Sequence, residues 1–127
     1  MITGAHFLLY SKDADADRAF FRDVLEWRSV DLGHNWLIFR LPPAEMAVHP
    51  GSSDFVQQHG DENLLGAVLY LMTDNLAATI EWLEKSGIGC SPVMTAEWGS
   101  STSLRLPSGG RIGLYQPTHP TAIDAEG

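Results

Sequence analysis

The side chains able to do chemistry in this chain of 127 residues are few, and most sit at alternating positions of short apolar runs. His6 lies in the run Thr3-Gly4-Ala5-His6-Phe7-Leu8-Leu9-Tyr10, where a strand would put it on one face with Leu8 and Tyr10. Glu45 and His49 alternate with Ala47, and Arg111 and Tyr115 alternate with Gly113. An imidazole supplies a metal ligand or a proton acceptor near neutral pH, a carboxylate a ligand or a base, and a phenol a proton donor. Two uses are open for His6: a ligand or acid–base group in a polar pocket, or a core histidine satisfied by a neighbouring polar group. Cys90 is the sole cysteine and stands beside Ser91-Pro92 with no histidine near it in sequence, so a buried structural thiol is expected rather than a nucleophile. Neither a Gly-x-Ser-x-Gly elbow nor a Gly-Lys-Ser/Thr phosphate loop occurs, and Gly109-Gly110 reads as a hairpin turn.

Aromatic residues are the second resource. Trp36, Trp98 and Tyr115 are suited to stacking on a flat ligand, and Trp98-Gly99, between two predicted strands, is the candidate lid. Trp27 and Trp82 are expected to pack helices against a sheet. His34, His59 and His119 fall in turns or loops and read as solvated.

The elements that must position these groups come in two copies. Phe39-Arg40-Leu41-Pro42 recurs as Leu104-Arg105-Leu106-Pro107, and the run from His6 to Asp13 matches the run from Ala67 to Asp74, with offsets of 65 and 61 residues. Arg40 and Arg105 are therefore repeat equivalents, and structural roles at strand ends are expected of them. In the first copy a strand over 3–10 leads to an Asp13 N-cap and an amphipathic helix over 14–25, then strands over 27–30, 35–40 and 46–49. Asp15 and Asp17 complement the positive end of that helix. In the second copy a strand over 65–72 leads to an Asp74-capped helix over 75–86 with Gly87 as its C-cap, then strands over 90–94, 101–106 and 111–115. The chain reads as one α+β domain over 1–127, made of βαβββ modules at 2–50 and 64–117. Residues 51–63 form a polar linker, with a helical turn around 54–58, and 118–127 a mobile or surface-draped tail.

Bulk composition narrows the partners. With 44% hydrophobic and 19% charged residues the chain has an ordinary globular make-up, and no transmembrane segment or signal peptide is visible. A formal net charge of −8 argues against nucleic acid and anionic membrane, which call for clustered Lys and Arg, and points to small molecules. The lone cysteine fits a reducing cytoplasm.

Two tandem βαβββ modules, with the opening Ile2-Thr3-Gly4-Ala5-His6, the helix end Phe20-Phe21-Arg22-Asp23-Val24-Leu25 and the closing Pro107-Ser108-Gly109-Gly110-Arg111-Ile112-Gly113-Leu114, resemble the vicinal oxygen chelate superfamily. That superfamily includes glyoxalase I, bleomycin-resistance proteins, fosfomycin-resistance enzymes and extradiol dioxygenases. The resemblance implies that the modules curl a mixed sheet into a central cup with the helices outside. It also implies a divalent ion in the metalloenzymes, with ligands at positions that fall here on His6, Ala47, Ala67 and Gly113. Only His6 carries a ligating atom, so the inherited metal site cannot be assembled as it is in those enzymes.

On this reading the cup binds a small organic molecule without metal. His6 and Tyr115 are the candidate catalytic groups. Leu8, Tyr10, Trp36, Ala47, His49 and Ala67 are candidate lining residues, with Leu69, Trp98, Arg111, Gly113 and Tyr115. The alternative is a lyase or dioxygenase holding Fe, Mn, Ni or Zn through a rearranged set of His6, Glu45 and His49, with Tyr115 as proton donor. A third reading is a degenerate dimerisation module. The resemblance also implies a homodimer.

Overall fold

The computed structural model describes residues 1–124. A first helix, α1 (Ala14–Ala19), starts at Asp13, whose carboxylate accepts from the Ala16 amide at 3.2 Å. It widens into a π-helical turn over Phe20–Val24, which points Phe20 and Phe21 into the core. Two short strands, β1 (Ser29–Asp31) and β2 (Leu37–Phe39), form an antiparallel hairpin behind it.

The expected linker is not a helical turn. It folds as a hairpin of β3 (Val56–His59) and β4 (Glu62–Leu65), with His59 opposite Glu62 across a two-residue turn. Gly60 opens that turn at φ +61, the place where a type II′ turn calls for glycine.

The second half is the better packed. Strand β5 (Tyr70–Met72) is followed by α2 (Leu76–Lys85), β6 (Met94–Ala96), β7 (Gly99–Arg105) and β8 (Arg111–Pro117). The N-cap of α2 is Asn75 rather than Asp74: its side chain accepts from the Ala78 amide at 3.1 Å. At the other end the Gly87 and Ile88 amides donate to the Glu84 and Leu83 carbonyls, closing the helix as expected of a Gly87 cap. The four strands form one sheet in the order β5-β8-β7-β6, parallel between β5 and β8 and antiparallel elsewhere.

Register fixes which residues face where. Leu71, Leu104, Ile112 and Leu114 turn to the helix side, where they meet Phe20, Phe21, Leu76 and Leu83 in the core. Leu83 and Leu104 lose essentially all contact with water, and each such burial stabilises by about 1.5–3 kcal/mol. The opposite face carries rows of Tyr70, Gly113 and Ser103, then Met72, Tyr115, Ser101 and Met94.

One polar contact ties the halves together. Asp17, on α1, is buried and accepts from the Ser108 amide at 2.9 Å and the Ser108 hydroxyl at 2.7 Å, in the turn between β7 and β8. It is a tether across 91 residues, not only a charge at a helix end.

Two expected strands do not form within the chain. Residues 3–10 and 44–49 are in no strand, and among the described residues their backbone groups take part in no backbone hydrogen bond. Both segments are largely exposed. By the internal repeat they are the counterparts of β5 and β8, which pair with each other in the second half. Of the expected tail, 118–122 lies against the sheet: the Thr118 amide donates to the Trp98 carbonyl and the Thr118 hydroxyl to the Glu97 carbonyl. The end of that tail, 125–127, falls outside the described residues.

Candidate functional site

Tyr115 is the centre of the most organised polar and aromatic cluster on the open face of the sheet. Strand β8 presents it between Tyr70 of β5 and Trp98 of the turn before β7. Both rings stand edge-to-face to it, with centroids at 5.6 and 5.8 Å and planes at 85° and 76°. Tyr70 and Trp98 are each about half exposed, so the corner is open to a ligand.

Gly113 makes this corner possible. A Cβ there would strike the ring of Tyr70, so the glycine lets the phenol ring lie across the strand. The room beside this small residue is therefore occupied by an aromatic side chain.

The polar side of the corner is built by Glu45 and His119. The Tyr115 hydroxyl donates to Glu45 Oε2 at 3.3 Å, and the Ala122 amide donates to Glu45 Oε1 at 2.8 Å. His119 Nε2 lies 3.5 Å from the same hydroxyl, while its Nδ1 is 2.8 Å from the Pro120 carbonyl. A carbonyl only accepts, so Nδ1 carries a proton and Nε2 is the atom left to gain or lose one. The phenol has a single proton to give. When Nε2 is protonated it donates to Tyr115, which donates to Glu45, and the three groups form a continuous path. Burial first, then the negative charge of Glu45 and its hydrogen bond, push the Tyr115 phenol above its ordinary pKa.

The other sequence candidates are placed differently. Ala67 and Leu69 were expected in the cup, but Leu69 packs on the core side with Leu71, and Tyr70 takes the open face. An apolar run without alternation does not reveal its register, and the faces are exchanged by a shift of one residue. Trp36 is engaged on the helix side, with the Arg18 guanidinium 4.7 Å above its ring. Arg111 shares the open face and donates to Ser103 Oγ at 3.2 Å. Leu8, Ala47 and His6 are exposed, and the Tyr10 hydroxyl bonds Nδ1 of His59, which is thus not simply solvated. Trp82 is half exposed on α2, whereas Trp27 stacks on Phe21 at 5.1 Å. Cys90 is half buried against the core, and burial, followed by the nearby Glu84, raises its pKa, which leaves it a poor nucleophile.

The three candidate ligands do not come together. His6, Glu45 and His49 do not converge: Glu45 is held by Tyr115 and Ala122, and His49 Nδ1 is 2.7 Å from the neighbouring Pro50 carbonyl. Among the described residues no three His, Cys, Asp or Glu side chains are placed to hold a metal. The physical reason is that 3–10, which carries His6, and 44–49, which carries Glu45 and His49, lack the strand pairing that would fix them. Nor is any helix among the described residues long and apolar enough to cross a membrane.

This arrangement of sheet, helices and open face is the vicinal oxygen chelate fold, the fold of glyoxalase, bleomycin-resistance and dioxygenase proteins. TnmS3, an antibiotic binding protein from Streptomyces sp. CB03234, superposes with a TM-score of 0.59 at 18% identity, over 93% of this chain and 99% of that one. Lactoylglutathione lyase from Agrobacterium tumefaciens gives 0.57 at 20% identity, over 90% and 92%. The fosfomycin resistance protein FosX from Listeria monocytogenes gives 0.54 at 15%, over 93% and 96%. At these identities the likeness establishes the fold. No protein-family model matches the sequence, and no curated protein does.

Proposed function

We propose that this is a cytoplasmic small-molecule-binding protein that holds a flat organic ligand at the Tyr70–Trp98–Tyr115 corner without a metal ion. The observation that carries this reading is the corner itself: Tyr115 flanked edge-to-face by the half-exposed rings of Tyr70 and Trp98, beside a carboxylate and the Ser101 and Ser103 side of the sheet. Aromatic walls with a few fixed polar groups are the usual chemistry of a small-molecule site. TnmS3, which shares the fold, is described as an antibiotic binding protein, which supports binding as a use of this architecture.

Chelator-treated protein titrated with a panel of flat aromatic compounds, with anilinonaphthalene sulfonate as reporter, tests the reading. Saturable binding that falls about tenfold in Tyr70→Ala and in Trp98→Ala, a loss of about 1.4 kcal/mol, is expected. Binding unchanged in both variants would remove the corner from the account. Elemental analysis after anaerobic loading with Fe(II), Mn(II), Ni(II) or Zn(II) tests the metal-free part, and about one ion per chain would overturn it.

The Glu45–Tyr115–His119 path favours a second reading, an enzyme that moves a proton on the bound molecule, with Tyr115 as donor. In that case Tyr115→Phe keeps ligand binding and abolishes conversion of the bound compound. Binding and conversion both unchanged would retire the second reading.

A further inference from the structure

The chain carries 16 acidic residues against 8 lysines and arginines, so a cation without a carboxylate partner stands out. Arg18, Arg22 and Lys85 are each bridged to a neighbouring Asp or Glu. Arg28 and Arg40 are in no salt bridge among the described residues, and the arginine side chains that donate hydrogen bonds there are those of Arg18, Arg22 and Arg111. They stand against each other instead. The Arg40 amide donates to the Arg28 carbonyl at 2.8 Å, which carries the register of Ser29 opposite Phe39 one residue further. Both side chains therefore leave the same face of the β1–β2 hairpin, and like charges directly opposite destabilise a strand pair.

The two arginines line an open cleft of about 450 Å³ at the open end of that hairpin, together with Trp27, Leu41 and Pro43. Glu26 lines it too, and the backbone fixes it there. Its φ of +58 is the left-handed position that ends a helix and that glycine or asparagine usually fills, and the next amide, of Trp27, donates back to the Phe21 carbonyl at 3.0 Å. A guanidinium keeps its charge at any physiological pH, so two arginines and one carboxylate leave the cleft positive by a single charge. The chain around it has a net charge of −8.

We infer that this cleft binds the carboxylate of a small organic acid, with Arg28 and Arg40 as a paired clamp. The planar guanidinium fork matches a carboxylate through two parallel N–H···O bonds, and two such forks from opposed positions grip it from both sides. A singly charged carboxylate neutralises the cleft, whereas a phosphate dianion overshoots it beside Glu26. The hydrocarbon body of the acid is covered by Trp27, Leu41 and Pro43, the usual division of labour in a small-molecule site. Binding also relieves the repulsion between the two arginines. The cleft shares no lining residue with the Tyr70–Trp98–Tyr115 corner, and the inference does not depend on what that corner binds.

The test uses the full, isotope-labelled chain and cyclohexanecarboxylate, an acid whose puckered ring is unsuited to stacking between aromatic walls. Titrated at fixed ionic strength, it should move the Trp27 indole and the Arg28 and Arg40 side-chain N–H signals along one saturable curve. The Kd should rise about tenfold in Arg28→Gln and in Arg40→Gln, as loss of a hydrogen bond between charged groups implies. It should stay unchanged in Tyr70→Ala and in Arg105→Gln, the repeat equivalent of Arg40, with near-ultraviolet circular dichroism checking that each variant is folded. Inorganic phosphate should bind more weakly than the acid, and the neutral cyclohexanecarboxamide should not bind. A Kd unchanged in both arginine variants, phosphate binding more tightly than the acid, or the amide binding as well as the acid would each overturn the inference. So would a loss in Tyr70→Ala as large as that in Arg28→Gln, which would put the acid at the corner.

Discussion

In the second half of the chain β5 and β8 lie side by side, and Leu104, Ile112 and Leu114 close over Leu83. In the first half the repeat-equivalent segments 3–10 and 44–49 stay apart, and Leu8, Met46 and Val48 remain in water. The residue types are alike, so propensity does not explain the difference. What differs is the supply of partners: β8 has β7 and β5 as neighbours, whereas β1 and β2 pair only with each other. A strand is stable when its backbone groups and one face are both satisfied, and the first half meets neither condition within one chain.

The sharpest way to break this comparison is to remove one leucine from each half. Leu104→Ala is expected to cost about 2–5 kcal/mol at every protein concentration, since a fully buried side chain leaves a cavity. Leu8→Ala should change the unfolding of the isolated chain by no more than about 0.5 kcal/mol. Urea melts read both, and a Leu8 loss as large as that of Leu104 would mean that 3–10 is packed rather than exposed.

The link between the halves gives the next effect. Asp17→Ala removes both bonds to Ser108 and is expected to cost about 2 kcal/mol, as loss of hydrogen bonds to a buried charge does. Asp17→Asn should restore part of the loss. Thermal melts without any loss would show that the Asp17–Ser108 contact does not hold the halves together.

Smallest is the titration of the corner. Glu45→Gln should lower the Tyr115 pKa while leaving it above the ordinary phenol value, because burial, the largest cause, remains. Ultraviolet titration in a Tyr10→Phe, Tyr70→Phe background isolates that phenol. A raised folded pKa means that the folded chain holds the proton more tightly than the unfolded one. Its contribution to stability is therefore present below the ordinary phenol range and is lost as pH rises through the folded value. An unchanged Tyr115 titration in Glu45→Gln would remove Glu45 from the corner.

Much of the second half was legible in the sequence, for physical reasons that the first half lacks. The turn Pro107-Ser108-Gly109-Gly110 and the Gly87 cap mark the ends of β7, β8 and α2, and the alternation in 111–115 put Arg111, Gly113 and Tyr115 on one face, as the register shows. The run over 64–72 is apolar on both faces, so its period could not say that Tyr70 rather than Leu69 joins the corner. His59-Gly60-Asp61-Glu62 did carry a hairpin signal, glycine in a two-residue turn, but the polar residues around it read as a linker. Asp17 looked like a dipole partner because its use is set by Ser108, far away in sequence. His119 looked solvated because only the folded tail brings it to Tyr115.

Amide hydrogen exchange tests the unequal closure of the two halves most directly. Protection should be high in β7 and β8, while the amides of 3–10 should exchange freely. Protection of 3–10 as strong as that of β7 and β8 would contradict it.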